Sequence, residues 1–335
     1  MHIITHGDCD GICAGALVLS VYTDSKVIFC NPVRLYETLK KIDKNETIIV
    51  CDIVRLYETL NKIDKNETII VCDIAVNEVI FQSVGNFFKD FKSVVYIDHH
   101  PLSHDVSSNL SSNVEVVHML GASASELAFY RFKESINPDM GRVAVYGSIG
   151  DYLDNTIGVQ KIIENWDKRT LYFQTGILIQ ALEVIGKNDG MKLDILNNLS
   201  KNILPSEIDS LTQLAVEASR NEERMREYVK RNAVKFGGIG YVLDPKGPLG
   251  KAAIYARAYT GAHVGLAAEI KHGKVEMSLR TPFNIDLNSI LVKVAPKFDG
   301  VGGGHAKAAG AEVPYEKFQE FLEVLSNLIS VTLPK

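Results

Sequence analysis

Within its first eleven residues the chain carries Thr5-His6-Gly7-Asp8-Cys9-Asp10-Gly11, an imidazole and two carboxylates at alternate positions directly after the apolar pair Ile3-Ile4. If the apolar run is a strand, alternation sets His6, Asp8 and Asp10 on one side, where strand gives way to loop. Three further clusters repeat the arrangement. Asp73 follows Ile69-Ile70-Val71-Cys72, Asp98-His99-His100 follows Val94-Val95-Tyr96-Ile97, and Asp151 follows the run from Ala144 to Gly150. Carboxylate oxygens with a few imidazole nitrogens suit Mn²⁺ or Mg²⁺, and no cysteine pair has zinc-type spacing. The donors suffice for two ions and one shared carboxylate. Two ions roughly 3.5–4 Å apart clamp an in-line displacement at phosphorus and supply a hydroxide nucleophile. A single Asp at a strand end is ordinarily a helix cap. Four clusters, each after an apolar run, point to one centre.

A second set lies near the C-terminus. In Gly302-Gly303-Gly304-His305, the absence of side chains lets backbone N–H groups approach a phosphate, and His305 adds a donor. Taken alone, the run reads as a glycine turn before a strand. Arg280 ends Met277-Ser278-Leu279-Arg280, and its guanidinium fork suits a phosphate bidentately. Residues 235–311 hold ten Lys/Arg against five Asp/Glu, consistent with an anionic substrate.

The elements that must position these side chains are legible as short apolar runs. Strands are expected over 2–5, 27–30, 69–72, 94–97 and 114–117, with helices over 12–21, 77–88 and 123–134. Strands alternating with helices imply a parallel sheet covered on both faces, with ligands at the carboxyl ends of its strands. A tandem duplication interrupts this order. Residues 33–53 and 54–74 are two 21-residue copies that differ only at Lys40 and Asn61, so Asp52 and Asp73 are rivals for one role. Two copies do not make a solenoid.

The fold expected is α/β: an N-terminal doubly wound, mostly parallel sheet domain over 1–188 and a smaller C-terminal α/β domain over 232–335. The polar stretch 189–231 reads as a helical linker. At 335 residues two domains are the natural division. The composition, 46% hydrophobic and 23% charged, is that of a soluble globular protein. No apolar run approaches the ~20 residues of a membrane span. The net charge of −5 argues against a coat for duplex DNA, although residues 231–335 carry thirteen Lys/Arg against nine Asp/Glu. Five cysteines confined to the first 72 residues fit a reducing cytoplasm.

In order and spacing, His6-Gly7-Asp8-Cys9-Asp10-Gly11, Asp73, Asp98-His99-His100 and Asp151 resemble the four motifs of the DHH phosphoesterase superfamily. Gly302-Gly303-Gly304-His305-Ala306-Lys307-Ala308-Ala309-Gly310 resembles the signature of the DHH-associated substrate domain. The resemblance implies an active site in the cleft between the two domains. It implies one ion on His6, Asp8 and Asp73, and another on Asp10, Asp73, His99 and Asp151, with Asp73 bridging. His100 would face the scissile phosphate, Asp98 would orient one of the metal ligands from outside the coordination shell, and Arg280 with Gly302, Gly303, Gly304 and His305 would bind substrate. Asp73 is preferred to Asp52 because Ile74-Ala75-Val76-Asn77-Glu78 continues into a family-like helix.

The activity implied is a Mn²⁺-dependent phosphodiesterase that trims single-stranded or short oligonucleotides from an end, with Mg²⁺ as an alternative ion. The family also accommodates small-nucleotide phosphoesterases, of cyclic-dinucleotide or 3′-phosphoadenosine type, and inactive scaffolds of replication or repair assemblies. Homo-oligomers and replication or repair partners therefore both lie within the expectation; a membrane does not.

Overall fold

The computed structural model describes residues 1–30, 64, 66–74, 88–102 and 111–332. The first repeat copy, with Asp52, and all but the last residue of the helix expected over 77–88 lie outside the described residues. The chain divides into two compact units, Met1–Glu217 and Ala218–Lys335.

The first unit is built on β1 (His2–Thr5), α1 (Cys9–Val21), β2 (Lys26–Phe29), β3 (Thr68–Cys72), β4 (Ser93–Asp98) and β5 (Val114–His118). The helices α2 (Ala124–Arg131), α3 (Gly141–Gly150), α4 (Ile157–Ile163), α5 (Lys168–Ile185) and α6 (Asp189–Ser200) follow, and then α7 (Leu211–Asn232). All five strands are parallel, in the order β2-β1-β3-β4-β5. Alternation along each strand divides the core between the two faces. Ile3, Ile70, Cys72, Val95 and Ile97 pack beneath α1 and the helices that follow it. Ile4, Ile69, Val71, Val94 and Tyr96 pack on the opposite face with Cys30, Phe88 and Phe91. The central strands β1, β3 and β4 are mostly apolar on both sides because both sides are buried.

Two expectations are corrected here. The run Ala144–Ile149 is the interior of α3, so Asp151 caps a helix and does not end a strand. An element that is apolar all round reads alike as buried strand or buried helix over so few residues. The stretch 189–231 is likewise more than a linker. α6 buries Ile195, Leu196 and Leu199 in the core of the first unit, and the division between the units falls inside α7, between Glu217 and Ala218.

The second unit continues with β6 (Val234–Phe236), β7 (Ile239–Leu243), α8 (Leu249–Thr260), β8 (Val264–Lys271), β9 (Lys274–Arg280), α9 (Leu287–Val294), β10 (Val301–Gly304), β11 (Ala308–Pro314) and α10 (Phe318–Thr332). Its six strands form a mixed sheet ordered β10-β11-β9-β8-β7-β6, in which only β7 and β8 are parallel. Leu266 and Ala268 face the core beneath α9 and α10, while Ala267 faces the Ala-rich side of α8. Each unit thus has its own core. Among the described residues no helix is long and apolar enough to cross a membrane.

Candidate metal centre

Sheet register places the site. The chain leaves β1 for β2 on one side and returns to β3 on the other, so the strand order reverses between β1 and β3. In parallel sheets this reversal opens a crevice at the carboxyl ends of the strands. Thr5 pairs with Cys72, and Cys72 with Ile97, so His6, Asp73 and Asp98 leave three adjacent strands side by side. His6 N–H donates to the Cys72 carbonyl at 3.3 Å and Asp73 N–H to that of Ile97 at 2.9 Å, carrying the ladder one step further.

The strand does not continue through the first cluster. β1 stops at Thr5, Asp8 is the N-cap of α1, accepting from Gly11 N–H at 3.0 Å, and Asp10 lies in the first turn of that helix. His6, Asp8 and Asp10 therefore meet because loop and helix turn them together, and strand alternation is not the cause. Asp8 is both a cap and a candidate ligand. The helix N-terminus favours its negative charge.

Three groups of donor atoms each lie within 4.8 Å of one another: His6, Asp8 and Asp73; Asp10, Asp73, His99 and Asp151; and Asp73, His99 and His100. Asp73 is common to all three. His99 Nε2 lies 3.2 Å from Asp73 Oδ1, 3.4 Å from Asp151 Oδ2 and 3.8 Å from Asp10 Oδ2. His6 Nδ1 lies 2.7 Å from Asp8 Oδ2 and 3.8 Å from Asp73 Oδ2. Asp73 is 1% exposed and holds a φ of +57°, a left-handed conformation that costs a residue with a Cβ of order 1 kcal/mol.

The electrostatics suit a cation. Burial, and then the neighbouring Asp8 and Asp10, push the Asp73 carboxyl well above the usual carboxylate range. Burial with Asp10, Asp8 and Asp73 does the same to Asp151, and burial raises Asp10 as well. Burial opposes charge on His6, but the Asp8 and Asp73 carboxylates together outweigh it and raise His6 to about 11. Asp73 Oδ2 is buried and makes no hydrogen bond. Crowded carboxylates and an unpaired buried oxygen fit a divalent ion or a pair of them.

The outer partners were not read from the sequence. Both oxygens of Asp10 accept from the start of α2, Oδ2 from Ala124 N–H at 2.6 Å and Oδ1 from Ser125 N–H at 2.9 Å. A Cβ on Gly147 of α3 would come within 2.7 Å of Asp10 Oδ1 and closer still to Ser125 Oγ, so glycine is what admits the carboxylate there. Asp98, 1% exposed, accepts from the Tyr96 hydroxyl at 3.1 Å and binds His100 Nδ1 at 2.9 Å. This fixes the ring and leaves Nε2 as its outward nitrogen. Burial opposes charge on His100, yet the bond to Asp98 and the charges of Asp98 and Asp73 together prevail, and its pKa is raised. Ser-type caps before an acidic residue, as in Ser123-Ala124-Ser125-Glu126, were the available signal for α2.

In the second unit the glycine run is a strand and its turn. Gly302 lies under α9, where a Cβ would meet that of Leu291 at 2.9 Å, so this glycine serves packing. Gly304 N–H already donates to Asn288 Oδ1 at 3.0 Å, and Gly303 has ordinary space around it. His305 is exposed at the hairpin turn before β11. Arg280 pairs in register with Ala308, and Thr281 N–H donates to the Lys307 carbonyl at 3.1 Å, so Arg280 and the His305 turn share one end of the sheet. Arg280 Nη1 donates to Ser278 Oγ at 2.7 Å.

A parallel sheet whose crevice gathers four carboxylates and three imidazoles, followed by a mixed-sheet unit that carries a glycine hairpin, defines an α/β protein with a candidate metal centre. Residues 1–148 match the DHH family N-terminal domain and residues 244–331 match the DHHA1 domain. The chain belongs to the DHH phosphoesterase superfamily. No curated protein matches it in sequence.

Solved structures share its fold at low identity. A pGpG-specific phosphodiesterase, PggH from Vibrio cholerae, is 11% identical with a TM-score of 0.60, covering 98% of this chain and 99% of that one. RecJ from Thermus thermophilus, in complex with Mn²⁺, is 15% identical with a TM-score of 0.62, covering 100% of this chain and 52% of that one. CDC45 from Entamoeba histolytica is 10% identical with a TM-score of 0.61, covering 97% and 94%.

Proposed function

We propose that the protein is a metal-dependent phosphodiesterase that hydrolyses single-stranded or short oligonucleotides from an end. The observation that carries this reading is the convergence of His6, Asp8, Asp10, Asp73, His99 and Asp151 on shared donor groups, with Asp73 in every group. His6, Asp8 and Asp73 would hold one ion, and Asp10, Asp73, His99 and Asp151 the other. When bound, such ions supply Lewis acidity and an activated water. The donor set suits Mn²⁺ first and Mg²⁺ second.

The chain's own groups have distinct tasks. Asp98 holds the His100 imidazole in one orientation, and His100 Nε2 offers a hydrogen bond to a phosphate oxygen. The Ala124 and Ser125 amides keep the Asp10 carboxylate in one rotamer. Arg280 and the exposed His305 would bind a phosphate of the substrate, while the packed Gly302 and the Gly304 N–H bonded to Asn288 hold the hairpin, with Gly303 between them, in place. PggH, named for a linear dinucleotide, matches nearly end to end and supports very short substrates.

The test is hydrolysis of 5′-labelled RNA and DNA, from dinucleotide to ~30-mer, with Mn²⁺ and with EDTA. Trimming that needs metal and disappears in Asp73→Ala while surviving in Asp52→Ala is the expected result. Rates that fall steeply beyond a few nucleotides would assign a short-substrate enzyme. No cleavage at any length would overturn the reading and leave a small-nucleotide phosphoesterase, and after it a catalytically impaired scaffold.

A further inference from the structure

Lys192 belongs to no motif, yet α6 delivers it to the metal centre. Ile195, Leu196 and Leu199 bury one face of that helix in the core. Leu196 packs on α1 where Gly15 leaves room: a Cβ there would meet Leu196 Cδ1 at 2.9 Å. Lys192 lies one turn before Leu196 and so on the same face. It lands on Gly7, where a Cβ would come within 2.8 Å of Nζ and 3.4 Å of Cδ. Gly7 is bonded on either side to His6 and Asp8, both members of one donor group.

The ammonium has no partner there. Among the described residues no carboxylate lies within ion-pair distance of Lys192 and no acceptor takes its hydrogens, although the side chain is half-buried. The ammonium's three N–H donors are thus unused. The charge of the centre explains what it would do. Asp8, Asp10, Asp73 and Asp151 together cancel two divalent cations, so a phosphodiester anion would meet a shell of no net charge. One fixed cation beside that shell supplies the missing attraction.

We propose that Lys192 is a substrate ligand, its ammonium binding a non-bridging oxygen of the phosphate held at the metal centre. The inference rests on the phosphodiesterase reading above, and it assigns a binding contact without a covalent step. The alternatives are a stem that merely covers Gly7 and a counter-ion for Asp8.

The experiment compares full-length protein with Lys192→Met, which keeps the stem and removes the charge, and with Lys192→Arg. Inorganic phosphate binding in Mg²⁺ and metal binding alone are measured by calorimetry, and kcat and KM on a dinucleotide where the wild type cleaves it. A charge-assisted contact predicts about 10-fold or greater weakening of phosphate binding in Lys192→Met, appearing in KM more than in kcat. Metal affinity and melting temperature should stay near wild type, and Lys192→Arg should recover part of the loss.

Unchanged phosphate affinity in a folded Lys192→Met protein would overturn the proposal. So would tighter metal binding with phosphate affinity intact, the mark of a counter-ion. If the wild type cleaves nothing yet Lys192→Met still loses phosphate binding, the activity reading falls and the contact stands. If cleavage and KM match in both proteins, the contact falls and the activity reading stands.

Discussion

Asp73 combines a buried, unpaired oxygen with membership of every donor group and a left-handed backbone. Replacing it by Asn keeps the volume and removes the charge that two ions would share. Mn²⁺ affinity is expected to fall further than the roughly 10- to 100-fold loss typical of an outer partner, a difference that equilibrium dialysis measures. Asp98→Asn should act differently, because Asp98 belongs to none of the donor groups and acts by holding the His100 ring. Metal affinity should hold while kcat drops by roughly 10- to 100-fold, as for other outer-shell changes. His6, raised to about 11 without metal, is protonated at neutral pH, and a ligand imidazole must be neutral. Each metal bound there therefore expels a proton. Affinity should rise at least about tenfold per pH unit between pH 6.5 and 8.5, the raised carboxyls of Asp73 and Asp151 adding to the slope wherever they still hold protons. Calorimetry in buffers of different ionisation enthalpy would count the proton directly.

At the scale of elements, α2 and α3 act as a brace for one carboxylate. Gly147→Ala inserts a methyl group 2.7 Å from Asp10 Oδ1 and against Ser125 Oγ. Either helix must move, so metal affinity should drop together with melting temperature. Leu196→Ala, which hollows the contact between α6 and α1, should cost about 2–5 kcal/mol in denaturant unfolding. The strands β1 to β5 were legible because each is a compact apolar run, and the donor residues because each follows such a run. Three placements were not. Asp10 was legible as a donor but not as a helical residue, since only the end of β1 at Thr5 reveals the change of period. Asp151 was legible after an apolar run whose helical nature local pattern could not decide. Lys192 was invisible because its proximity to Gly7 spans 185 positions of sequence and depends on how two helices pack.

At the scale of the molecule, two cores stabilise two units, and the donor groups all lie in the first. Ligand linkage should therefore be local. At a metal concentration 100 times Kd the stabilisation is about 2.7 kcal/mol. Hydrogen exchange should show added protection in β1, β3, β4 and α1, with β7, β8 and β9 unchanged. Equal protection of both units would mean that they open together.

Cys9 and Cys72 each adjoin a candidate ligand, yet both thiols point into the apolar core beside α1 and α3. The chain thus keeps its soft donors one residue out of phase with its hard ones. Zinc binds mixed nitrogen, oxygen and sulfur sites more tightly than manganese does, so geometry has to supply the discrimination that affinity withholds. Here the reading frame of β3 sorts Cys72 from Asp73, and the first turn of α1 sorts Cys9 from Asp8 and Asp10. A one-residue insertion in β3 would exchange a carboxylate for a thiolate and hand the crevice to a different metal.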